Sequence, residues 1–378
     1  MSDRSERSLL PNGLRDGLAP EAAHESAVLE RLMRHFHSYG YDRVDPPLVE
    51  FEENLLDGVG TVMGPHTFRL MDPVSQRMMG VRADITPQVA RIAATRLRKQ
   101  PRPLRLAYAG SVLRVRGTQL RPERQFRQAG CELIGVDSPV ADAEVIELAA
   151  VALRDVGISR LSVDICLPTL VPTICDKFGL DKAQALAALD QKDASAVAAL
   201  GGEAGALLTA LLRASGPAKS ALAKLAKIDL PAEIAAERTR LEAVVERLQK
   251  AVPDLALTVD PVEHKGFEYQ QGLSFTLFAR GVRGELGRGG RYFLAGKDEP
   301  ATGFTVYLDT ILRAAPPPPA ERKVFLPADT PEGESARLRK QGWVAVSALS
   351  DTDDAETEAR RVGCTDILRD GRVEPLKK

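Results

Sequence analysis

The chain has 378 residues, 44% hydrophobic and 27% charged, with a net charge of −1. That is an ordinary globular composition, long enough for one large domain with a smaller companion, and the charge balance gives no electrostatic case for a nucleic-acid partner. The four cysteines (Cys131, Cys166, Cys175 and Cys364) form no Cys-x-x-Cys pair, His35 and His37 do not share a helix face, and neither a signal peptide nor an apolar run of about 18 residues is present, so no disulfide framework, metal site or membrane partner is expected and the cytoplasm is the default compartment.

Pro11 and Gly13 punctuate an N-terminal turn segment. A helix is predicted from about Pro20, with Val28, Leu29, Leu32, Met33 and Phe36 as its apolar stripe and Gly40 as its stop. Tyr41 to Pro47 reads as a short extended piece, because residues before proline avoid the α region. Residues 66–86 read as a hairpin: Thr67 to Leu70, a turn around Asp72-Pro73, then Met78 to Val81. Thr86 is predicted to N-cap the next helix, with Pro87 at the first helical position and Val89, Ile92, Ala93 and Leu97 on the buried face. Asp84 beside that N-terminus suits the helix dipole. The cluster Arg91, Arg96, Arg98, Lys99 and Arg102 reads as a solvated helix face.

The stretch from Tyr108 to Gly135, YAGSVLRVRGTQLRPERQFRQAGCELIG, organises the rest. It reads as a strand, a long charged loop and a returning strand. Gln128 and Glu132 are four apart, so on a strand they point the same way, with Arg114 on the facing ladder. An arginine, an amide and a carboxylate on one sheet face suit a zwitterion: the guanidinium grips a carboxylate through two hydrogen bonds and the glutamate takes a cation. An ordinary hairpin with a solvated basic loop carries the same pattern, and the residues alone leave both readings open.

Ser138-Pro139 opens another helix, Gly157 stops it, and the alternation at Leu161, Val163 and Ile165 predicts a strand. From about 172 to 253 alanine and leucine dominate and strand patterns vanish, which predicts a helical insertion; its clearest helix runs from Glu237 to Lys250. The sheet resumes at Leu255. Lys265-Gly266-Phe267-Glu268-Tyr269-Gln270 precedes an alternating strand from Leu273 to Phe278, and Gly289-Gly290-Arg291-Tyr292 reads as a turn. Pro316 to Pro319 predict a stiff linker. Beyond it, strand patterns at Val324 and Val344 alternate with helices near Glu332 to Gln341 and Ala355 to Val362. The expected boundaries are 1–315 for the core, 316–320 for the linker and 321–378 for a small C-terminal α/β domain.

The 108–135 stretch resembles motif 2 of the class II aminoacyl-tRNA synthetases, and the histidyl enzymes in particular, through Arg114, Arg124, Gln125, Phe126, Gln128, Gly130, Cys131 and Glu132. Asp84 and Thr86 are similar to the acid and threonine with which that family holds an ammonium group. Lys265 to Gln270 resembles its Arg-Gly-Leu-Asp-Tyr-Tyr signature, Gly289 to Tyr292 matches its Gly-Gly-Arg-Tyr, and Gly303 to Thr310 aligns with motif 3. The resemblance spans residues 9 to about 315. It implies an α+β fold: a class II synthetase-like antiparallel sheet core with flanking helices, a helical insertion and a small C-terminal α/β unit. It also implies a histidine site. Asp84, Thr86 and Gln128 would hold the ammonium group, Glu132 with Gln270 the imidazole, and Arg114 or Lys265 the carboxylate, with Tyr269 in the signature segment beside them.

The departures fall in the nucleotide half. Arg116 stands where the family has an adenine-contacting glutamate, Tyr307 where a glycine lets ATP approach, and Thr310 where an arginine clamps the terminal phosphate. Amino-acid activation needs that positioning and charge stabilisation. An amino-acid pocket with its nucleotide half dismantled resembles the regulatory subunits of ATP phosphoribosyltransferase, a branch of the histidyl-tRNA synthetase-like proteins, and the run RADITPQVARIAATR from Arg82 to Arg96 is similar to that branch. This resemblance implies a non-catalytic subunit without catalytic residues or cofactor, a short-form ATP phosphoribosyltransferase catalytic subunit as partner, and L-histidine as effector. It implies a homodimer within a hetero-oligomer that performs the first step of histidine biosynthesis under feedback control. Two alternatives stay open: a divergent histidyl-tRNA synthetase that activates histidine with ATP, and a scaffold subunit that binds no small molecule.

Overall fold

The computed structural model describes residues 9–264, 266, 269–294, 299–318, 321–351 and 354–376. The chain divides into two compact units between Pro316 and Pro317.

The first unit opens with the helix Glu21–Ser38, which buries Val28, Leu32 and Phe36. Strands β1 (Asp42–Arg43) and β2 (Val49–Phe51) follow, then β3 (Phe68–Met71) and β4 (Met78–Val81), paired antiparallel around a turn in which Asp72 accepts from the backbone N–H groups of Val74 and Ser75. β2, β4 and β3 form a separate three-stranded sheet. The helix Thr86–Ala94 leads to the long pair β5 (Leu104–Leu113) and β6 (Gln125–Ile134). The helix Pro139–Asp155 is capped by Ser138, whose hydroxyl accepts from Val140 N–H, and β7 (Leu161–Cys166) follows it.

Six helices then run between Leu170 and Ala251, interrupted by the two-residue strand β8 (Gly216–Pro217). That strand is a difference from the all-helical expectation: it adds antiparallel to the edge of β9 (Ala256–Asp260) and ties the helical stretch to the sheet. β10 (Ser274–Ala279), β11 (Gly287–Phe293) and β12 (Pro300–Tyr307) complete the sheet, and the helix Leu308–Ala314 ends the unit. The order is β1-β5-β6-β12-β11-β10-β7-β9-β8. Its centre is antiparallel, as expected, but β1 with β5 and β7 with β9 are parallel, so the sheet is mixed.

Strand alternation sorts β6 between two layers. Ala129, Cys131 and Leu133 face the helices and join the main core, where Phe36 meets Phe304 edge-on with ring centroids 5.5 Å apart. On the opposite face, Phe126 and Ile134 join a smaller cluster with Ile85, Val89, Tyr108 and Tyr292. Gln128 and Glu132 point to that second face, buried among those side chains.

Three local expectations are corrected. Thr86 is the first residue of its helix and not its cap: Ile85 holds the cap position, without a side-chain bond. The backbone N–H of Thr86 is satisfied by Asp84 Oδ1 at 3.0 Å and that of Ile85 by Gln128 Oε1 at 3.1 Å, which frees the Thr86 hydroxyl to face the sheet. Gly289 to Tyr292 is not a turn but the middle of β11, where a Cβ on Gly289 would collide with Phe275 and the Gly303 carbonyl. The basic cluster is not wholly solvated, since Arg91 pairs with Glu50 and Arg102 with Glu299.

The second unit is a four-stranded sheet of order β14-β13-β15-β16, from β13 (Lys323–Leu326), β14 (Val344–Ser347), β15 (Asp366–Arg369) and β16 (Arg372–Pro375). The helices Glu332–Lys340 and Ala355–Arg361 accompany it. Val324, Leu326, Leu338 and Leu368 pack on one face, and Phe325, Ala359 and Ile367 on the other. Among the described residues no helix is long and apolar enough to cross a membrane.

Candidate functional site

A cavity of about 300 Å³ opens over the second face of β6, β11 and β12. Its floor is cleared by glycine: a Cβ on Gly303 would run into the carboxylate of Glu132 across the β6–β12 ladder.

Glu132 is the centre. It is 1% exposed, and three hydroxyls converge on it. Tyr292 donates to Oε2 at 2.9 Å, and Thr86 and Tyr108 donate to Oε1 at 3.0 and 3.4 Å. Burial pushes its pKa up to about 8; the hydroxyl donors pull it down and the Asp84 charge adds to the rise. Tyr108 is the hub of this network, 2.6 Å from the Thr305 hydroxyl and 3.1 Å from that of Thr86. Burial and the neighbouring acids hold its phenol protonated.

Asp84 lies in the wall of the same cavity. Its Oδ2 accepts from Gln128 Nε2 at 2.8 Å and its Oδ1 from the Thr86 backbone at 3.0 Å. Gln128 is fully buried and works from beneath: one amide end holds Asp84, the other holds the backbone of Ile85. Arg114 reaches the cavity, donates to the Ala83 carbonyl at 3.2 Å, and its guanidinium is 4.0 Å from Asp84. Tyr269 meets Tyr292 edge-on at 6.0 Å. Gln270 lines the cavity at 6% exposure, and its Oε1 has no hydrogen-bond partner.

Of the residues singled out from the sequence, Asp84, Thr86, Arg114, Glu132, Tyr269 and Gln270 line one cavity, Gln128 supports it from below, and Lys265 lies outside the described residues. The sequence reading missed Tyr108 and Tyr292 as partners of Glu132, Thr305 as the partner of Tyr108, and the Arg288–Glu285 pair. Tyr108 pairs across the ladder with Gly130, and a buried tyrosine hydroxyl usually finds a polar partner, so that signal was available. Arg288 forks onto Glu285 at 2.6–3.1 Å and donates to the Gly266 carbonyl at 2.7 Å, so it pins the segment that carries Tyr269 and Gln270.

The far end of the cavity is closed by Tyr307, which is 4% exposed. The Arg121 guanidinium stacks 3.8 Å from its ring centroid, and Phe126 packs edge-on at 6.0 Å. Arg121 Nε donates to Asp309 Oδ2 at 3.0 Å, and its Nη2 lies 3.5 Å from the Thr310 hydroxyl. The loop that brings Arg121 back is cinched by Thr118, whose backbone N–H donates to the Arg121 carbonyl at 2.6 Å and whose hydroxyl accepts from Arg121 N–H at 3.0 Å. Arg116 stays exposed on that loop. One end of the recess thus offers acids and an open amide to a small polar ligand, while the other is filled by the chain's own aromatic and guanidinium groups.

The family model for histidyl-tRNA synthetase matches residues 13–311. Curated relatives called ATP phosphoribosyltransferase regulatory subunit include one from Rhodospirillum centenum, 57% identical over 98% of this chain and 97% of its own, and one from Paramagnetospirillum magneticum, 56% identical over 99% and 100%. Among solved structures, an ATP phosphoribosyltransferase regulatory subunit/histidyl-tRNA synthetase from Bacillus halodurans superposes with a TM-score of 0.81 at 24% identity, covering 96% of this chain and 97% of the other, which shows a shared fold. A cavity on the open face of a β6–β12–β11 floor, the motif-2 hairpin beneath it and this near-full-length similarity lead to one assignment: the chain belongs to the ATP phosphoribosyltransferase regulatory subunit family, within the class II histidyl-tRNA synthetase-like fold.

Proposed function

We propose that this chain is a non-catalytic subunit that works with a short-form ATP phosphoribosyltransferase catalytic subunit in the first step of histidine biosynthesis, and that its cavity takes L-histidine as the feedback effector. The names of the curated relatives support the partner and the regulatory role. The carrying observation is the contrast within the cavity: Asp84 and Glu132 stand ready for cationic or N–H groups, whereas Arg121 stacked on Tyr307 occupies the end where motif 3 of a synthetase would seat a nucleotide. In this reading Asp84, oriented by Gln128, receives the ammonium group with Thr86 close by; Glu132 and Gln270 receive the ring beside Tyr269; and Arg114 or Lys265 meets the carboxylate. A homodimer within a hetero-oligomer and a cytoplasmic location belong to the same reading.

Feedback requires histidine to favour one assembly state, and the coupling is reciprocal, so the catalytic partner must change histidine affinity by the same factor. Calorimetry of L-histidine with and without the partner tests this: different affinities are expected, and equal ones would end the regulatory reading. ATP–pyrophosphate exchange by the isolated chain is expected at background. Turnover above it would favour a synthetase instead.

A further inference from the structure

A second cavity, of about 310 Å³, shares no lining residue with the first. It lies between the segment before the first helix, that helix, the end of the β5–β6 loop and the helix Leu308–Ala314. Glu25, Glu123 and Asp309 stand in its wall. Glu123 Oε2 and Asp309 Oδ1 are shut off from water and have no hydrogen-bond partner among the described residues, and the Asp309 side chain is 6% exposed. Neighbouring cations use the other oxygens. Arg121 donates to Asp309 Oδ2 at 3.0 Å. Arg313 lies between the two acids, 3.7 Å from Asp309 Oδ2 and 3.9 Å from Glu123 Oε1, beyond hydrogen-bond length. The arginines of the wall itself are engaged, Arg15 with Glu21 and Arg127 with Glu25. Two stripped acceptors beside one cavity cost stability until a donor completes them.

The chemistry of that donor follows from the wall. Among the described residues no three His, Cys, Asp or Glu side chains gather to hold a metal ion, so an N–H cation fits better than a metal. A guanidinium carries several donors in one plane and serves two carboxylates at once. Carboxylates turn easily about their terminal torsion, so each acid can bring its unused oxygen to the cavity. The surroundings add apolar surface. Leu18, next to the lining residue Gly17, is 71% exposed, and Leu120, on the loop that carries Glu123, is 56% exposed. A small free cation has no use for exposed leucines, whereas an arginine on a protein surface brings apolar neighbours that cover them. Bonds from Arg124 to the Asn12 and Gly13 carbonyls fix the leading segment against that loop. We propose that this face docks the catalytic partner, with an arginine of the partner entering the cavity between Glu123 and Asp309. This rests on the partnership proposed above and adds to it the surface and the group that the surface receives.

The test is calorimetry of the full chain with the short-form ATP phosphoribosyltransferase catalytic subunit, with circular dichroism as the control for folding. Glu123→Gln keeps the shape and loses the charge, and is expected to weaken the complex by roughly 10- to 100-fold. Leu18→Asp, at an exposed position, is expected to weaken it by roughly tenfold. Affinity equal to the parent's in folded Glu123→Gln overturns the proposal. If that variant does not fold, Leu18→Asp decides in its place, and parent-like affinity there has the same force. An intact complex combined with a Glu123→Gln homodimer that dissociates in sedimentation would seat a second copy of this chain on the face and overturn the proposal. An intact complex combined with spermidine binding that Glu123→Gln abolishes would make the occupant a free amine, and overturns it too. Failure of the unaltered chain to bind the catalytic subunit at all would strike the partnership itself, a different outcome from a Glu123 variant that docks like the parent.

Discussion

The two ends of one cavity share a sheet face and have gone different ways. At the Glu132 end, buried polar groups are left incomplete: the carboxyl carries a raised pKa and Gln270 Oε1 lacks a donor. At the Tyr307 end, Arg121 lies on the ring and is bonded to Asp309 Oδ2, although Asp309 Oδ1 is also buried without a partner among the described residues. Burying an incompletely paired polar group costs stability, so such groups persist where a ligand completes them. At the other end the chain's own side chains, Arg121, Phe126 and Tyr307, pack on one another. The contrast is between an end lined by acids and an end filled by an aromatic ring with a guanidinium stacked on it.

The comparison can be broken most sharply through pH. Folded Glu132 keeps its proton up to about pH 8, whereas in the unfolded chain it ionises near 4.5. Unfolding between those values releases a proton, so the contribution of this group is complete below about 4.5, declines as pH rises, and levels off above about 8. The expected loss is about 1.4 kcal/mol per pH unit, on the order of 5 kcal/mol across the window. Urea unfolding of the parent and Glu132→Gln at pH 5 and pH 8 measures it; the variant should flatten the profile, and parallel profiles would show that Glu132 is not the incomplete group described.

Next in size is the closed end. Arg121 and Asp309 form a pair with side chains 10% and 6% exposed. Removing one partner of a buried pair costs about 3 kcal/mol or more. Arg121→Ala should lower the denaturation midpoint accordingly while leaving L-histidine affinity within about threefold of the parent. A stable variant with lost histidine binding would invert the assignment of the two ends.

At the open end, Glu132→Ala should weaken L-histidine by roughly 30- to 100-fold, the scale of leaving a buried ligand N–H without its acceptor. Calorimetry reads it, and unchanged affinity would move the effector elsewhere. The smallest effect is expected from Asp84→Asn, about tenfold, because the amide keeps an oxygen for the Thr86 N–H while losing the charge and the acceptor for Gln128 Nε2. If that variant matched the parent, Asp84 would be a helix-supporting residue alone.

Much of the fold was legible. The apolar stripe at Val28, Leu32 and Phe36, the β5–β6 hairpin and the Ser138 cap all follow from local periodicity and capping chemistry. The turn assigned to Gly289-Gly290-Arg291-Tyr292 was wrong because glycine marks close approach as well as chain reversal, and here it lets β11 pass Phe275 and β12. The cap assigned to Thr86 was wrong because Asp84 and the sequence-distant Gln128 satisfy that helix start instead.

By itself, the sequence determined the strand faces, hence that Gln128 and Glu132 share a side, and it placed tyrosine and threonine at positions 307 and 310. Only the tertiary structure decided which partners those side chains meet. Tyr108, Thr86 and Tyr292 come to Glu132 from three different elements, and Arg121 folds back across its loop onto Tyr307. The physical reason is range: side-chain alternation is set by the local backbone, while burial, and with it the raised pKa of Glu132 and the open acceptor on Gln270, exists only once distant segments have excluded water together.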